Sequence, residues 1–246
     1  MRKNYQIVSK KPDNVAEDAY SCLIMSQDHK YGLSAGPGRK DQVIVWDVKK
    51  LSKICKLRGF KHSRNGINDV YRMCISADNR YVAATSYMQI LIWDLQSRRI
   101  VKTITEEGWK TMTVFSNDNR LFAYCPTTYA KRFHVIDVPC DGNRSGSGTD
   151  IVFNCMGECK ALAFSRDGKR LWSLDNSDQN GLKLWDLSSP EEPLMMATAS
   201  SSHFNRLKLV ENDTILYVVT GKNNYGEDVN CFHVDYEFEV GGNGST

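Results

Sequence analysis

Two cysteines four residues apart, Cys155 and Cys159, five histidines, and five aspartates that each close an apolar run are the side chains of this chain that could do chemistry. The thiol pair supplies half of a zinc site. Zinc needs four converging ligands, and no His or Cys pair nearby provides the rest. The histidines (His29, His62, His134, His203 and His233) fall in separate segments, and nothing beside any of them marks it as a catalytic base. His134 and His233 occupy equivalent places in two similar runs, as a structural alternation would produce. GPGRK (36 to 40) and TGKNNYG (220 to 226) lack the spacing of a phosphate-binding loop and the helix that should follow it. Asp47, Asp94, Asp137, Asp186 and Asp235 remain as acid candidates. Their settings are alike, and a residue type that recurs in one setting is a position in a fold, here a bonder of turn backbone. No catalytic residue, metal or cofactor is expected.

The elements around those aspartates repeat. VIVWDVKK (43 to 50), ILIWDLQS (90 to 97) and LKLWDLSS (182 to 189) share an apolar alternation ending in Trp-Asp, while FHVIDVPC (133 to 140) and CFHVDYEF (231 to 238) are weaker copies. The central residues are Trp46, Trp93, Ile136, Trp185 and Val234, at intervals of 47, 43, 49 and 49. A second signal keeps step: SQDHKY at 26, SADNRY at 76, SNDNRL at 116, SRDGKRL at 165 and the drifted ENDTILY at 211. Ser and Asp bond nearby amides, and Asn or Gly next to them tolerates the left-handed conformation, so each is a tight turn between antiparallel strands. Apolar alternation before and after each turn makes the flanks strands. One unit therefore reads strand a, turn, strand b, loop, strand c, turn, and an outer strand d such as SKICKL (52 to 57), RRIVKTI (98 to 104) or DIVFNC (150 to 155).

Four strands per unit and a period slightly above 40 describe a β-propeller blade. With two motifs recurring together from about residue 20 to 240, the chain resembles the WD-repeat family. The resemblance implies an all-β propeller of WD-type four-stranded blades, in one domain over 1 to 246. Five blades are recognisable, at about 19 to 57, 58 to 104, 105 to 155, 156 to 200 and 201 to 240. NYQIVS (4 to 9) is expected as the outer strand of an adjoining or closing blade. The ring either closes on five blades or is an incomplete part of a larger propeller within a longer multidomain chain. VPCDGNRSGSGTD (138 to 150) reads as a flexible loop between strands c and d of the third unit.

In the family the c-strand Trp packs between blades and can join a polar network with a His, a Ser or Thr and a loop Asp. That network is expected to be mostly absent here. Lys40, Tyr87 and Gln179 stand where the loop Asp would be, and His62 is out of register. Apolar packing is expected to hold the blades. The long, degenerate units also resemble the WD-repeat regions at the C-terminal ends of large NACHT-type signalling ATPases, telomerase-associated relatives included. In such proteins the propeller senses a ligand, but no nucleotide site is carried over.

Composition bounds the alternatives. The 246 residues are 41% hydrophobic and 25% charged, enough for a sizeable core. A formal net charge of +3 gives no global field for nucleic acid. No apolar run approaches the roughly 18 to 20 residues that span a bilayer, and the start has no signal-peptide core. Eight cysteines spread through strand-like runs read as reduced thiols of a cytoplasmic or nuclear protein.

Function is then expected on the face that carries the d-to-a and b-to-c loops. Arg39 and Lys40, then Arg58, Lys61, His62 and Arg64 with Phe60 among them, make it basic around the first two blades, and Lys131 and Arg132 add to it. Asp175 and Asp178 make the fourth blade's loop acidic. Tyr87, Trp109, Tyr129 and Tyr225 stand in the same loops, and large aromatics beside arginines are the types that dominate binding hot spots. The expectation is a non-enzymatic interaction scaffold or ligand-sensing module whose partner is a protein or peptide, with acidic or phosphorylated residues suiting the arc. Binding of nucleic acid through the same arc is the alternative, and a propeller enzyme the more remote one. No membrane partner is expected.

Overall fold

The computed structural model describes residues 22–35, 42–61, 70–105, 112–126, 130–138, 150–176 and 181–197, and the strands within 204–210, 215–221 and 227–233. Among the described residues nineteen strands follow one another. The first sheet holds β1 (Cys22–Met25), β2 (Tyr31–Ala35), β3 (Gln42–Asp47) and β4 (Ser52–Arg58); the second β5 (Arg72–Ile75), β6 (Tyr81–Thr85), β7 (Gln89–Asp94) and β8 (Arg99–Thr105). The third is β9 (Thr113–Phe115), β10 (Leu121–Tyr124), β11 (Arg132–Asp137) and β12 (Asp150–Asn154); the fourth β13 (Cys159–Phe164), β14 (Arg170–Asp175), β15 (Leu182–Asp186) and β16 (Met195–Ala197). The fifth comprises β17 (Phe204–Val210), β18 (Ile215–Gly221) and β19 (Glu227–His233). Within each sheet the order is the chain order and all pairs are antiparallel. The first strands of successive sheets, β1, β5, β9, β13 and β17, touch in series, so the sheets stack as an arc with these strands innermost. This is the architecture of propeller blades. No described helix is long and apolar enough to cross a membrane. Residues 4 to 9 and the 139 to 149 stretch lie outside the described residues.

Alternation along the strands gives each sheet two apolar faces, and the seams between sheets are the core. Leu33, Val43, Val45 and Leu57 of the first sheet meet Met73, Val82, Ala84, Leu91 and Trp93 of the second. Tyr81, Ala83, Ile90 and Ile92 on its other face meet Phe115, Phe122, Tyr124 and Ile136 of the third. Phe133, Val135 and Phe153 then meet Leu162, Phe164, Leu171 and Trp185 of the fourth. We call the face toward the preceding sheet leading and the other trailing. Each fully buried large side chain in these seams contributes roughly 1.5–3 kcal/mol.

The a-to-b turns have one geometry in four sheets. Ser26, Ser76, Ser116 and Ser165 each donate through Oγ to the Asp two residues on, at 2.8, 2.6, 2.5 and 2.6 Å. That Asp accepts the amide of Lys30, Arg80, Arg120 or Lys169 at 2.9 to 3.1 Å, while the serine oxygen accepts the next amide. The residue between them is left-handed: His29 (φ 59°), Asn79 (63°), Asn119 (61°) and Gly168 (68°). Successive turns are also joined. Asn79 Nδ2 donates to Asp28 Oδ2 at 2.8 Å, and the Ala77 amide donates to Asn119 Oδ1 at 2.8 Å.

The repeat positions fall as the spacing implies, with one exception. Trp46, Trp93, Ile136 and Trp185 stand opposite Gly32, Val82, Phe122 and Leu171. Asp47, Asp94 and Asp186 accept turn amides at 2.8, 2.7 and 2.8 Å, and Asp137 ends β11. Val234 and Asp235 lie outside the described residues. The register puts Phe232 opposite Leu216, the place Trp185 takes opposite Leu171, so the fifth copy is offset by two residues. His134 and His233 are therefore not equivalent: they oppose Tyr124 and Ile215.

Candidate interaction face

Because the strands run antiparallel in chain order, the d-to-a and b-to-c connections emerge at one end of every sheet and the tight turns at the other. The connection out of β4 is gripped from the second sheet. Trp93 Nε1 donates to the Arg58 carbonyl at 3.1 Å, and Gln89 Nε2 to the Gly59 carbonyl at 3.3 Å. Gly59 has φ 131°, and a Cβ there would lie 2.5 Å from Ile100 Cδ1, so the chain passes only because no side chain is present. The next residue is thereby turned inward. Phe60, expected beside the arginines on the loop face, is buried and packs edge-on to Trp93 with centroids 5.5 Å apart. Its ring is part of the core, for the same reason that any large apolar side chain anchors a connection crossing a seam.

Arg58 and Lys61, on either side, are exposed, and so is Arg72 at the start of β5. Lys131 and Arg132 are exposed at the start of β11. None of these five bases has a carboxylate partner among the described residues. Tyr87 is half-buried in the b-to-c connection, between Ser86 and the strand residue Gln89 that Ser86 binds, and has a partner of its own. Arg39, Lys40, His62, Arg64, Trp109 and Tyr129 lie outside the described residues.

The fourth sheet corrects the expected acidic side. Asp175 is fully buried and bound by Lys183 Nζ at 2.5 Å, itself buried, so this carboxylate contributes no field to the surface. Glu158 is matched by Lys160 at 2.6 Å. Asp178 lies outside the described residues. Beside the Lys183 pair, the seam between third and fourth sheets brings Cys125 to Cys155 and Cys159. Burial pushes the Cys159 thiol well up, while Cys155 is raised first by its hydrogen bond with Cys159 and then by burial. These are inert thiols. No group of His, Cys, Asp and Glu among the described residues could hold a metal.

The indole network is half present, more than the sequence suggests. Trp46 and Trp185 donate to Ser34 and Ser173, both at 2.7 Å. In the second sheet the register places Ala84 where those serines stand, and with no hydroxyl there Trp93 turns to Arg58. His134 is buried, its Nδ1 2.9 Å from Asp150 Oδ1 and its ring stacked on Tyr124. Its Nε2 is buried without a partner. Sequence reasoning missed Arg72, the Lys183 to Asp175 pair and Cys125; each depends on which strand ends meet, and only the basic residue right after a loop carried a local sign.

No protein-family profile matches the chain, and no curated protein does. Solved structures do. The Myceliophteria thermophila Cps50 (Swd1) β-propeller domain aligns with a TM-score of 0.70 and 16% identity, over 88% of this chain and 66% of that one. Hydrazine synthase of Kuenenia stuttgartiensis aligns with a TM-score of 0.70 and 13% identity, over 93% of this chain and 67% of that one. At such identities the likeness shows the fold: an all-β chain of propeller blades that spans about two thirds of each of these neighbours.

Proposed function

We propose that the chain is a non-enzymatic protein-interaction scaffold that captures an acidic or phosphorylated protein segment on its loop face. The observation that carries this is the set of five exposed bases, Arg58, Lys61, Arg72, Lys131 and Arg132, with no described carboxylate to neutralise them. Surface bases are ordinarily solvated, but bases gathered at one end of three sheets attract an anion from several sides. The buried thiols, packed as core groups, suit the reducing cytoplasmic or nuclear compartment in which we place the chain.

The test is fluorescence anisotropy with a glutamate-rich peptide, its phosphoserine counterpart and a DNA duplex as three probes. Binding of either peptide should weaken at least tenfold when Arg58→Glu and Lys61→Glu are combined, with the thermal midpoint unchanged. The backbone contacts of Arg58 survive that change, because Trp93 binds its carbonyl. Equal peptide binding by the doubly reversed protein would remove this face from consideration. Preferential DNA binding with a steep dependence on salt would favour the nucleic-acid alternative.

A further inference from the structure

The connections out of the first and third sheets can be compared position by position. Val43 pairs with Leu57 in one and Phe133 with Phe153 in the other, and three places after the outer partner stands Phe60 or Met156. Phe60 is 5% exposed and Met156 70%. The rings of the seams explain the difference. On the leading face of the second sheet Trp93 shares its seam with the aliphatic pair Val43 and Leu57, which leaves room for the Phe60 ring at 5.5 Å. On the leading face of the fourth sheet Trp185 is already met edge-on by Phe133 and Phe153, at 5.9 and 5.4 Å. In a close-packed seam two rings fill the place that Phe60 takes, so the large side chain of the connection is left outside.

The backbone that carries Met156 is nonetheless tied down. Cys155 and Gly157 on either side are buried, the Cys155 amide donates to the Lys131 carbonyl at 2.7 Å, and the Cys159 amide to the Ala130 carbonyl at 3.2 Å. Those bonds continue the pairing of Arg132 with Asn154 and bring Met156 alongside Lys131 and Arg132. Both are exposed bases with no carboxylate partner among the described residues. The acid of the connection, Glu158, is bound by Lys160. Of the described large apolar side chains more than half exposed, Leu23, Met25 and Met196 lie in strands and Leu51 and Leu194 in turn-end connections; Met156 is the one in a loop-face connection.

We propose that Met156 is the apolar anchor of the interaction face: the protein segment bound there sets a large apolar side chain on Met156 and the carboxylates beside it on Lys131 and Arg132. This rests on the reading of the loop face as a binder of acidic segments, and it adds the apolar half of the motif. An unbranched thioether adapts to apolar partners of differing shape, and covering it removes from water a surface that bases alone would leave wet. The bases attract the segment, and Met156 selects which residue of it must be apolar.

Fluorescence anisotropy with two glutamate-rich peptides, alike but for a central leucine or serine, tests this. Wild type should bind the leucine peptide more tightly by about fivefold or more. Met156→Ser should lose that preference with an unchanged thermal midpoint, Met156→Leu should keep it, and Lys131→Glu combined with Arg132→Glu should weaken both peptides. Equal binding of the two peptides by wild type, or a leucine preference that survives in Met156→Ser, overturns the anchor while the acidic reading stands. A doubly reversed protein that binds both peptides as wild type does overturns it too, because the bases would not be beside the bound segment. So does a midpoint that falls in Met156→Ser, since the side chain would then be packed within the chain. If wild type binds neither peptide, the reading of the face fails and the anchor with it.

Discussion

Lys183 and Asp175 are a charged pair with almost no water contact, in a seam otherwise lined by thiols, aromatic rings and aliphatic side chains. Such a pair adds little net stability, because removing both charges from water costs about what their attraction returns; removing one partner leaves the other's buried charge without its counter-ion. Lys183→Met should therefore cost about 3–5 kcal/mol in urea unfolding. Lys183→Met combined with Asp175→Leu should recover most of that loss. A single substitution costing under about 1 kcal/mol would mean that water reaches Asp175 after all. Neither residue stands out in the sequence, since Asp175 reads there as a loop acid and Lys183 as a polar interruption of strand c. Their meeting depends on two strands that the b-to-c loop separates.

Between strands b and c, the serine that binds the indole is the unit of specification. In the fourth sheet Trp185 is buried, so Ser173→Ala leaves its N–H without an acceptor, at a cost of about 1–3 kcal/mol. Ser34→Ala should cost less, because Trp46 is only half-buried and water can replace the hydroxyl. Thermal or urea unfolding of the two variants orders them, and equal losses would refute the dependence on burial. The strands and turns were legible in the sequence because their signals are local. A Ser, an Asp two places on and an Asn or Gly after it determine a turn without help from elsewhere, and His29 takes the same left-handed place. What was not legible is set by neighbours. Phe60 looks like a loop aromatic until Gln89 and Trp93 hold the two carbonyls before it, and the fifth copy drifts by two residues because Phe232, rather than Val234, meets the paired strand.

Across the molecule, aspartates at the turn end hold the sheets in their hairpins, and several titrate low. Hydrogen bonding to Lys30 holds Asp28 far below the usual carboxylate range, and that to Ser188 lowers Asp186. Burial pushes Asp94 and Asp167 up but is outweighed, by the Ser97 and Arg80 bonds in one and the Ser165 and Lys169 bonds in the other. A carboxylate depressed in the fold stabilises it above its unfolded pKa and stops doing so as pH falls through the folded value. The thermal midpoint should thus be level above about pH 5 and decline below the ordinary aspartate value of 3.8. The contribution of each exposed group is small, but Asp28, Asp94, Asp167 and Asp186 all act in the same direction. A midpoint unchanged from about pH 6 to about pH 2 would show that the turns do not depend on these charges. The propeller class was readable from the period, whereas the proposed binding face was only half readable: its charge is in the composition of the loops, but which acids oppose it depends on burial.

The bonds between successive turns have a bearing on how such a chain can have arisen and can still change. Asn79 of the second turn reaches Asp28 of the first, and Asn119 of the third receives the Ala77 amide of the second. The fourth turn has Gly168 there instead, where a Cβ would come 3.4 Å from the Asp118 carboxylate. Copies made by duplication begin interchangeable, but these copies no longer are. A turn moved to another place in the chain would carry its own Asp and Ser and still fold, yet it would meet the wrong neighbour, so the order of the repeats is itself inherited information.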